Sequence, residues 1–268
     1  MIGFPNAKIN IGLKITGKFP DGYHEIKSLM IPTGFYDILE ILPSRQDELS
    51  ITGLKIPGHP DENILWKVLI TLRENYSVPP LKIHLHKLIP TGAGLGGGSA
   101  DASFFLKMLN ELFRLGMGVE KLEKIVSAIG SDCPFFIRNQ PALITGKGEK
   151  IRLFPFAKNN MHLVILYPGF PISTAQAYAG VNINPETTPL EELLKMEISR
   201  WKEKIENDFE KNLFPVYPEL PSLKTDLYRS GAVYASMSGS GSAVYGIFMD
   251  KPVLPDKLRR AVVFEGNF

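Results

Sequence analysis

Cysteine is nearly absent from this chain, in which Cys133 is the single cysteine among 268 residues. One cysteine excludes an internal disulfide and a multi-cysteine metal site, and it suits a reducing cytoplasm. Long apolar runs are also missing: no stretch approaches the length of a membrane span, and the first residues lack the apolar centre of a secretory signal. We therefore expect a cytoplasmic protein that does not associate with membranes.

An excess of charge of either sign is missing as well. The 30 Lys and Arg residues nearly balance the 28 Asp and Glu residues, which leaves a formal net charge of +2. Proteins that bind nucleic acids generally carry a basic patch, so nucleic acid is not expected as a partner. The hydrophobic content of 44% is ordinary for a globular protein, and the length allows one large or two modest domains.

Glycine, in contrast, is concentrated between Pro90 and Ser99. This segment reads Pro-Thr-Gly-Ala-Gly-Leu-Gly-Gly-Gly-Ser and runs into a predicted helix. Glycine lets the backbone take positive φ angles and brings N–H groups close to a ligand. A helix that starts there adds unpaired N–H groups and the positive end of its dipole. The segment therefore predicts an anion site, and the favoured anion is a nucleotide polyphosphate.

Three interpretations of this glycine loop compete. It lacks the Gly-Lys-Ser/Thr ending of a Walker A loop. It does contain Gly-x-Gly-x-x-Gly, but the strand predicted before it alternates apolar and polar residues, whereas a central Rossmann strand is a nearly continuous apolar run. A flexible surface turn is the third interpretation, and it is disfavoured because long glycine runs destabilise a fold that does not need them. We favour phosphate binding by a loop that is neither Walker nor Rossmann.

Hydrophobic periodicity predicts strands and helices without strict βαβ alternation, which is typical of an α+β protein in two lobes. The first predicted strand, over 7–16, alternates isoleucine or leucine with polar residues and is expected to be half-buried. Further strands are predicted over 35–42, 50–56, 81–88, 142–145, 163–167, 232–237 and 243–249. Helices are predicted over 63–76, 99–115, 119–129, 190–213 (with one break allowed), 222–229 and at the C-terminal end, and 181–189 is predicted to be a loop.

Three motifs occur in a characteristic order along the chain. Residues 7–10 read Ala-Lys-Ile-Asn, the glycine loop follows in mid-chain, and residues 237–242 read Met-Ser-Gly-Ser-Gly-Ser. Together they resemble the signature motifs of the GHMP kinases. Residues 21–25 (Asp-Gly-Tyr-His-Glu) and 130–136 (Gly-Ser-Asp-Cys-Pro-Phe-Phe) resemble one branch of that family, whose substrate is a cytidyl diphosphate polyol.

The resemblance implies a two-lobed α+β GHMP kinase fold. The N-terminal lobe, residues 1–155, would resemble a domain of a small-subunit ribosomal protein and carry the phosphate loop and the catalytic residues. The C-terminal lobe, residues 156–268, would be an α/β sandwich that contributes to the substrate site. The implied reaction transfers the γ-phosphoryl group of ATP, with Mg²⁺, to a hydroxyl of the cytidyl diphosphate polyol. No tightly bound cofactor is expected, and the chain would act as a monomer or a homodimer.

The resemblance assigns catalysis to Lys8 and Asp132. Asp132 would orient the substrate hydroxyl and accept its proton, while Lys8 would lower the pKa of that hydroxyl and neutralise charge on the transferring phosphoryl group. Considered without the resemblance, a lysine on a strand is usually solvated, and an aspartate beside a helix-stopping glycine is usually structural. These two roles therefore rest on the family match.

The remaining site residues are implied in the same way. Asn10 would bond to the substrate near the reacting hydroxyl, Tyr23 and His24 would stack on cytosine and read its edge, Tyr178 would cover its other face, and Thr174 would contact the diphosphate or polyol part. The ATP-binding residues would be Pro90, Thr91, Gly92, Ala93, Gly94, Leu95, Gly96, Gly97, Gly98, Ser99 and Ala100, with Asn63 and Lys87 beside the adenine. No Mg²⁺ ligand can be assigned, and 238–242 is expected to pack behind the phosphate loop.

Two other features and three rival functions stay open. Cys133 reads as a small buried residue, and His84 and His86 share a strand face, which permits a metal pair but supplies no third ligand. The rivals are another GHMP kinase (acting on mevalonate, homoserine or a sugar), a non-catalytic nucleotide-binding protein of the same fold, and a nicotinamide-dependent dehydrogenase. Competition by a cytidine nucleotide distinguishes the first rival, and binding of NAD(P)H distinguishes the last.

Overall fold

The computed structural model describes residues 1–156, 161–181, 183 and 188–268. Its strands are β1 (Ile2–Gly3), β2 (Asn6–Lys18), β3 (His24–Tyr36), β4 (Ile38–Pro43), β5 (Glu48–Gly53), β6 (Leu81–Lys87), β7 (Ala142–Gly146), β8 (Lys150–Leu153), β9 (His162–Leu166), β10 (Tyr234–Met237), β11 (Val244–Phe248) and β12 (Val262–Asn267). Its helices are α1 (Ile64–Arg73), α2 (Gly97–Leu112), α3 (Val119–Ser127), α4 (Cys133–Arg138), α5 (Thr174–Tyr178), α6 (Leu190–Leu193), α7 (Phe209–Leu213), α8 (Glu219–Arg229) and α9 (Asp256–Arg259), with short 3₁₀ helices at Pro60–Glu62 and Ile198–Glu203.

The mixture of helices and sheets confirms the α+β class. The chain divides into two compact units, and each unit is assembled from separate segments. The first unit comprises residues 1–7, 35–91 and 96–140, and the second comprises residues 8–34, 92–95 and 141–268. None of the helices in the described segments is both long enough and apolar enough to serve as a membrane span. The lobe boundary after residue 155 stays a prediction.

The first unit is built on one sheet with the order β1-β4-β6-β5. Strands β4 and β6 are antiparallel, while β5 and β6 are parallel, which is the pairing expected when α1 connects them. The inward residues of the strands share a core with one face of α1 and one face of α2, as shown by the buried Ile83, Leu69 and Phe105. Asn63 caps α1 by accepting a hydrogen bond from the Leu65 amide at 3.0 Å.

The second unit contains two four-stranded sheets, with orders β2-β3-β7-β8 and β10-β11-β9-β12. A continuous cluster of buried residues joins β2, β9, β10 and β11 to α7 and α8, and it includes Ile15, Val164 and Leu227. The central strand β11 is buried along its whole length, which agrees with its nearly continuous apolar sequence. This core supports the loop at residues 238–242, which connects β10 to β11.

The first long strand corrects one expectation from the sequence. Strand β2 was expected to be half-buried, but Lys8 and Asn10 on its polar face are only 3% and 1% exposed, and Ile9 and Ile11 on the other face are fully buried. The polar face is therefore a buried polar surface, in which each group needs a specific hydrogen-bonding partner. Alternation alone cannot distinguish such a surface from a solvated one.

The strand predicted over 35–42 is in fact two strands separated at Asp37. The preceding part belongs to the end of β3, and the following part is β4. Asp37 is fully buried, and its backbone N–H donates to the Pro5 carbonyl at 2.8 Å. Its carboxylate accepts hydrogen bonds from the amides of Leu88 and Ile89, at 2.6 and 2.8 Å. The break places a charged side chain inside the first unit, which hydrophobic periodicity does not reveal.

The long helix predicted over 190–213 is wrong. The segment forms α6, a 3₁₀ helix and α7, and residues 206–208 between them are held against β2. The Leu13 amide donates to the Glu206 carbonyl at 3.0 Å, and the Asp208 amide donates to the Leu13 carbonyl at 2.8 Å. The spacing of apolar residues by three or four positions therefore indicated a buried face correctly. The long-range backbone hydrogen bonds to β2, however, prevent a continuous helix.

The C-terminal helix expected from the sequence is also wrong in extent. Only Asp256–Arg259 is helical, and the chain then forms β12, an edge strand antiparallel to β9. The sequence Val-Val-Phe at its start has high β propensity, and an edge partner was available on β9. The loop predicted over 181–189 lies partly outside the described residues. The helices α4 and α5 and the strands β1 and β8, each at most six residues long, were not predicted. Most of the 13-residue strand β3 was also not predicted, since the sequence analysis places a strand only from residue 35 onward.

Candidate active site

The glycine loop alternates between two backbone conformations. Gly92, Gly94 and Gly96 have φ angles of 69°, 74° and 72°, and the residues between them do not share this conformation. Helix α2 begins at Gly97, two residues before the predicted start at Ser99. The amides of its first turn are therefore contributed by glycines that can approach a ligand closely. Gly98 is exposed, and a Cβ added there would meet no atom within 4 Å, so the space beside it is open.

The loop is closely packed on the side away from that open space. A Cβ added to Gly97 would lie 2.8 Å from Ile89 Cγ2 and 3.0 Å from Lys87 Nζ. Glycine is therefore required at the start of α2 by the close approach of the chain that ends β6. These contacts lie within the first compact unit and fix where the first turn of α2 points.

Lys87 lies at the centre of a buried charged cluster in the first unit. Its ammonium group is 2.5 Å from Asp37 Oδ2 and 2.7 Å from Asp101 Oδ2, and all three side chains are almost fully buried. Asp101 lies in the first part of α2, and Asp37 separates β3 from β4. The cluster therefore connects the end of β6, the start of α2 and the β3–β4 break.

Burial and charge compete in this cluster. Burial, the largest influence on Lys87, lowers its pKa, but Asp101 and Asp37 outweigh it, so the pKa of Lys87 lies above its ordinary value. Burial raises the pKa of Asp101 to about 8, although Lys87 opposes the rise. Asp101 Oδ1 has no hydrogen-bonding partner in the described part of the chain. Lys87 is therefore a charged group, and its two bonds are to carboxylates.

A pocket of about 890 Å³ opens beside this cluster within the first unit. Asn63, Lys87, Thr91, Gly98 and Asp101 contribute to its wall, and the rest of the wall is formed mainly by residues 51–62. This volume is within the range typical of small-molecule sites. The predicted neighbours of the adenine, Asn63 and Lys87, thus share one pocket with two residues of the phosphate loop.

Lys8, the predicted catalytic lysine, is held by uncharged oxygen atoms in the second unit. Its ammonium donates hydrogen bonds to Asn10 Oδ1 at 2.5 Å and to the Gly94 carbonyl at 2.9 Å. Asn10 in turn donates from Nδ2 to Ser28 Oγ at 2.8 Å, and Ser28 donates to the Gly12 carbonyl at 2.5 Å. The chain of bonds fixes the orientation of both Lys8 and the predicted substrate ligand Asn10.

The second glycine-rich segment packs against residues 92–95 of the first, as expected from the sequence. Ser238 Oγ donates to the Gly94 carbonyl at 2.9 Å, and the Ala243 amide donates to the Ala93 carbonyl at 3.0 Å. A Cβ at Gly94 would overlap the carbonyl oxygen of Ser238, so no other residue fits at this position. Residues 92–95 and the second glycine-rich segment are therefore parts of one packed structure in the second unit.

Asp132, the predicted base, occupies the N-cap position of α4 and is half-buried. Ser103 fixes the following residue, because its hydroxyl contacts the Ser99 carbonyl at 2.8 Å and the Cys133 carbonyl at 2.7 Å. A Cβ added to Gly130 would lie 3.8 Å from Ser99 Oγ. The turn that carries Asp132 is thus attached to the first turn of α2, where Ser99 lies.

Two other predictions concern metal and thiol chemistry. Cys133 is fully buried, and burial raises its pKa to about 11, which confirms a structural residue and not a reactive thiolate. Thr52 Oγ1 lies 2.9 Å from His84 Nε2 and 2.8 Å from His86 Nδ1. Over the described ranges no three His, Cys, Asp or Glu side chains are grouped so that they could hold a metal ion.

The predicted cytosine-binding residues lie in the second unit, but two of their rings stack on each other instead of leaving space for a base. The rings of His24 and Tyr178 are stacked on each other, with centroids 4.7 Å apart and planes inclined by 16°. In this arrangement a base does not fit between these two rings. Burial, followed by the charge of Lys18, lowers the pKa of His24, which favours the neutral ring with one donor and one acceptor.

Tyr23 is 64% exposed, and a cation lies over its ring. The ammonium of Lys147 stands 4.7 Å from the centre of the Tyr23 ring and forms an ion pair with Asp21. One face of the Tyr23 ring is thus occupied by a cation. Thr174, at the start of α5, is exposed, and the helix is capped by Ser173, whose side chain accepts from the Gln176 amide at 3.2 Å.

Several residues that shape the site were missed by sequence reasoning. Asp37, Asp101 and Ser103 connect the elements around the phosphate loop, and Asn207 supports the second glycine-rich segment, as described below. Asp101 and Ser103 do follow the glycine loop directly, which is the one local signal that could have identified them. Asp37 and Asn207 carry no such signal, because their partners are far away in the sequence.

Two family models match separate ranges of this chain. The model described as "GHMP kinases N terminal domain" matches residues 63–140, which include the glycine loop and Asp132. The model described as "GHMP kinases C terminal" matches residues 190–267, which include the second glycine-rich segment. The chain belongs to the GHMP kinases.

This GHMP kinase is similar to individual enzymes of one name within the family. The 4-diphosphocytidyl-2-C-methyl-D-erythritol kinase of Parabacteroides distasonis is 45% identical over 252 residues, which cover 94% of this chain and 93% of the relative. The enzyme of the same name from Porphyromonas gingivalis is also 45% identical and covers 95% of this chain and 94% of the relative.

Solved structures agree with the sequence comparisons. The crystal structure of a 4-(cytidine 5'-diphospho)-2C-methyl-D-erythritol kinase superposes with a TM-score of 0.80 at 30% identity, covering 97% of this chain and 93% of that one. A mevalonate kinase superposes with a TM-score of 0.67 at 15% identity, covering 92% and 91%. The second likeness concerns the fold alone, and it confirms the two-part GHMP kinase architecture.

Proposed function

We propose that this GHMP kinase transfers the γ-phosphoryl group of ATP to the 2-hydroxyl of 4-diphosphocytidyl-2-C-methyl-D-erythritol, with ADP and the 2-phosphate as products. The observation that carries the proposal is the 45% identity to enzymes of that name over more than nine-tenths of both chains. The reaction is a step in the non-mevalonate synthesis of isoprenoid precursors. The alternative is a kinase of this family that acts on mevalonate, homoserine or a sugar, and the likeness to a mevalonate kinase supports that alternative only at the level of the fold.

The chemistry assigned to the two catalytic residues follows from phosphoryl transfer. Asp132 accepts the proton of the attacking hydroxyl, and its position at the N-cap of α4 fixes the carboxylate on a rigid turn. Lys8 stabilises negative charge on the transferring group, and its bonds to Asn10 and Gly94 hold the ammonium in place. Buried, pre-oriented groups of this kind stabilise a charged transition state without the cost of reorganising water.

The nucleotide is assigned to the first unit. The amides of the first turn of α2 receive the phosphates, and the pocket beside Asn63 and Lys87 receives the adenosine part. Mg²⁺ would enter bound to the triphosphate, where it supplies positive charge to the phosphate oxygens. The Ser99 hydroxyl is the side chain proposed to lie near the phosphates or the ion.

The cytidyl end of the substrate is assigned to Tyr23, His24 and Tyr178. The exposed face of Tyr23 offers a stacking surface, since Lys147 covers the other face. The neutral His24 ring has the donor and acceptor needed to read the edge of cytosine. Base stacking between Tyr23 and Tyr178 requires the His24–Tyr178 stack to separate when the substrate binds. Thr174 and Asn10 are proposed for the polyol end.

The test is ADP release by the purified protein with MgATP and four acceptors in parallel. The acceptors are 4-diphosphocytidyl-2-C-methyl-D-erythritol, mevalonate, homoserine and galactose. We expect turnover with the cytidyl substrate alone. Asp132→Asn should lower kcat by about 10²- to 10⁴-fold, the usual contribution of general-base catalysis, and should leave ATP affinity unchanged.

Each outcome of this panel has a definite meaning. Turnover with another acceptor would preserve the family and contradict the substrate. Near-wild-type turnover of Asp132→Asn would contradict the role of the carboxylate. Binding of ATP without turnover of any acceptor would favour a non-catalytic binding protein. The cytoplasmic location and the monomeric or homodimeric state stay predictions.

A further inference from the structure

Residues 206–210 join the strand that carries Lys8 to the second glycine-rich segment. Asn207 is 1% exposed, and its Nδ2 donates two hydrogen bonds, to the Met237 carbonyl at 2.9 Å and to the Gly239 carbonyl at 2.8 Å. Its Oδ1 accepts from the Phe209 amide at 3.0 Å. Every polar atom of this side chain is therefore used, and only an amide can donate to two carbonyls and accept from an N–H at once.

The same segment is anchored on strand β2, the strand that carries Lys8. Leu13 exchanges backbone hydrogen bonds with Glu206 and Asp208, at 3.0 and 2.8 Å. The buried carboxylate of Asp208 also accepts from the Ile15 amide at 3.0 Å and from Lys14 Nζ at 3.1 Å. Asn207 thus has a fixed position relative to β2.

The turn that Asn207 holds lies against the catalytic lysine. A Cβ added to Gly239 would lie 3.1 Å from Lys8 Nζ, 3.1 Å from the Gly94 carbonyl oxygen and 3.3 Å from Asn10 Oδ1. The neighbouring Ser238 hydroxyl donates to the same Gly94 carbonyl that accepts from Lys8. A displacement of the turn by a fraction of an ångström therefore moves Lys8, Gly94 or both.

We infer that Asn207 is a positioning residue for phosphoryl transfer: it fixes the Ser238–Gly239 turn, and through that turn the Lys8 ammonium and the Gly94 segment of the phosphate loop. This inference rests on the proposed function for its kinetic consequence but not for its structural one. Glu210 supports the same turn from the other side, since it accepts from the Met237 amide at 2.8 Å and from Ser236 Oγ at 3.1 Å.

The decisive variant is Asn207→Asp, which keeps the shape of the side chain and replaces the double donor by an oxygen that repels both carbonyls. We expect kcat to fall about 100-fold, the usual effect of a 1 Å misplacement of reacting groups. The dissociation constant for cytidine diphosphate, measured by calorimetry, should stay within about twofold, because this ligand does not need Lys8. Gly239→Ala disturbs the same turn from within and should lower kcat in the same direction, so the test does not depend on one variant folding.

Tyr228→Phe is the matched control, because it removes a half-buried bond to the Ala235 carbonyl (3.1 Å) in the same unit. It should lower the melting temperature without lowering kcat.

Amide hydrogen exchange provides a readout that needs no substrate. Asn207→Asp should accelerate exchange at 93–95 and 237–241, and Tyr228→Phe should not. If the wild type does not phosphorylate the cytidyl substrate, the proposed function is wrong, and the exchange experiment still tests Asn207. An unchanged kcat or unchanged exchange in Asn207→Asp would overturn the inference.

Discussion

Lys8 and Lys87 are two buried lysines on strands of different compact units, and different roles are proposed for them. Lys87 is 2% exposed and contacts the carboxyl groups of Asp37 and Asp101. Lys8 is 3% exposed, and its contacts include the neutral oxygen atoms of Asn10 and Gly94. Lys87 completes a buried charged cluster within the fold, whereas Lys8 is proposed to act on the transferring phosphoryl group.

The comparison separates a lysine in a charged cluster of the fold from a lysine proposed to act in catalysis. A buried ammonium between two carboxyl groups stabilises only as a complete set, because removing the cation leaves an uncompensated charge. The hydrogen bonds from Lys8 to Asn10 and Gly94 orient its ammonium, and a pre-oriented cation suits stabilisation of a transition state. Substitution of Lys87 should therefore mainly lower the free energy of unfolding, whereas substitution of Lys8 should mainly lower kcat.

The largest effect is expected from Lys87→Met. The substitution leaves Asp37 and Asp101 buried without their cation, so we expect the free energy of unfolding to fall by about 3–5 kcal/mol. Urea unfolding followed by circular dichroism measures this change. A variant as stable as the wild type would contradict the structural role of the cluster.

Lys8→Met should give the complementary result. The loss of a pre-oriented cation from the transition state should lower kcat by about 10²- to 10³-fold, since single charge-stabilising donors contribute about this much. The free energy of unfolding should change less than in Lys87→Met, because Asn10 and Gly94, two of the partners left behind, are neutral. Steady-state kinetics and urea unfolding of both lysine variants compare the two sites directly. Equal losses of kcat in the two variants would contradict a kinetic role for Lys8 that Lys87 does not share.

The pH dependence of stability should reveal the charged cluster. The pKa of Asp101 is raised from 3.8 to about 8, so the folded chain holds a proton that the unfolded chain releases. The contribution of Asp101 to stability should therefore be fully present below the unfolded pKa and be lost, as a downward slope, when the pH rises toward 8. Asp101→Asn should flatten this slope between about pH 5 and about pH 7.5, measured by urea unfolding at several pH values. A slope that is unchanged in Asp101→Asn would exclude this carboxyl as its source.

The smallest effect is expected from Asn10→Asp, which makes the surroundings of Lys8 more like those of Lys87. A carboxylate 2.5 Å from the ammonium would neutralise part of its charge, and we expect kcat to fall about tenfold. The affinity for ATP should hardly change, because the residues that form the adenosine pocket lie in the other unit. Steady-state kinetics measures both quantities, and an undiminished kcat would show that the neutral partner of Lys8 is unimportant.

Local patterns predicted a substantial part of this protein. The alternation in β2 and β6, the helical spacing in α1, α2 and α3 and the glycines that open α2 are all properties of neighbouring residues, and the corresponding predictions are confirmed with small shifts at the ends. The family was also accessible from sequence, because its motifs are short, ordered along the chain and rich in glycine. Asp132 and Lys8 were identified through those motifs and not through periodicity.

Only the tertiary structure decided which polar residues are buried and with whom they pair. Asp37 meets Lys87 and Asn207 meets Gly239 across 50 and 32 residues of chain, and local spacing contains no information about such pairs. The same long-range bonds interrupt the amphipathic segment 190–213 and make the chain end in a strand beside β9. The sequence by itself determined many local elements, the conformation of the glycine loop and the family, because these depend on adjacent residues. The burial of the two lysines and their different partners was decided by the fold, because a buried charge is defined by its three-dimensional surroundings.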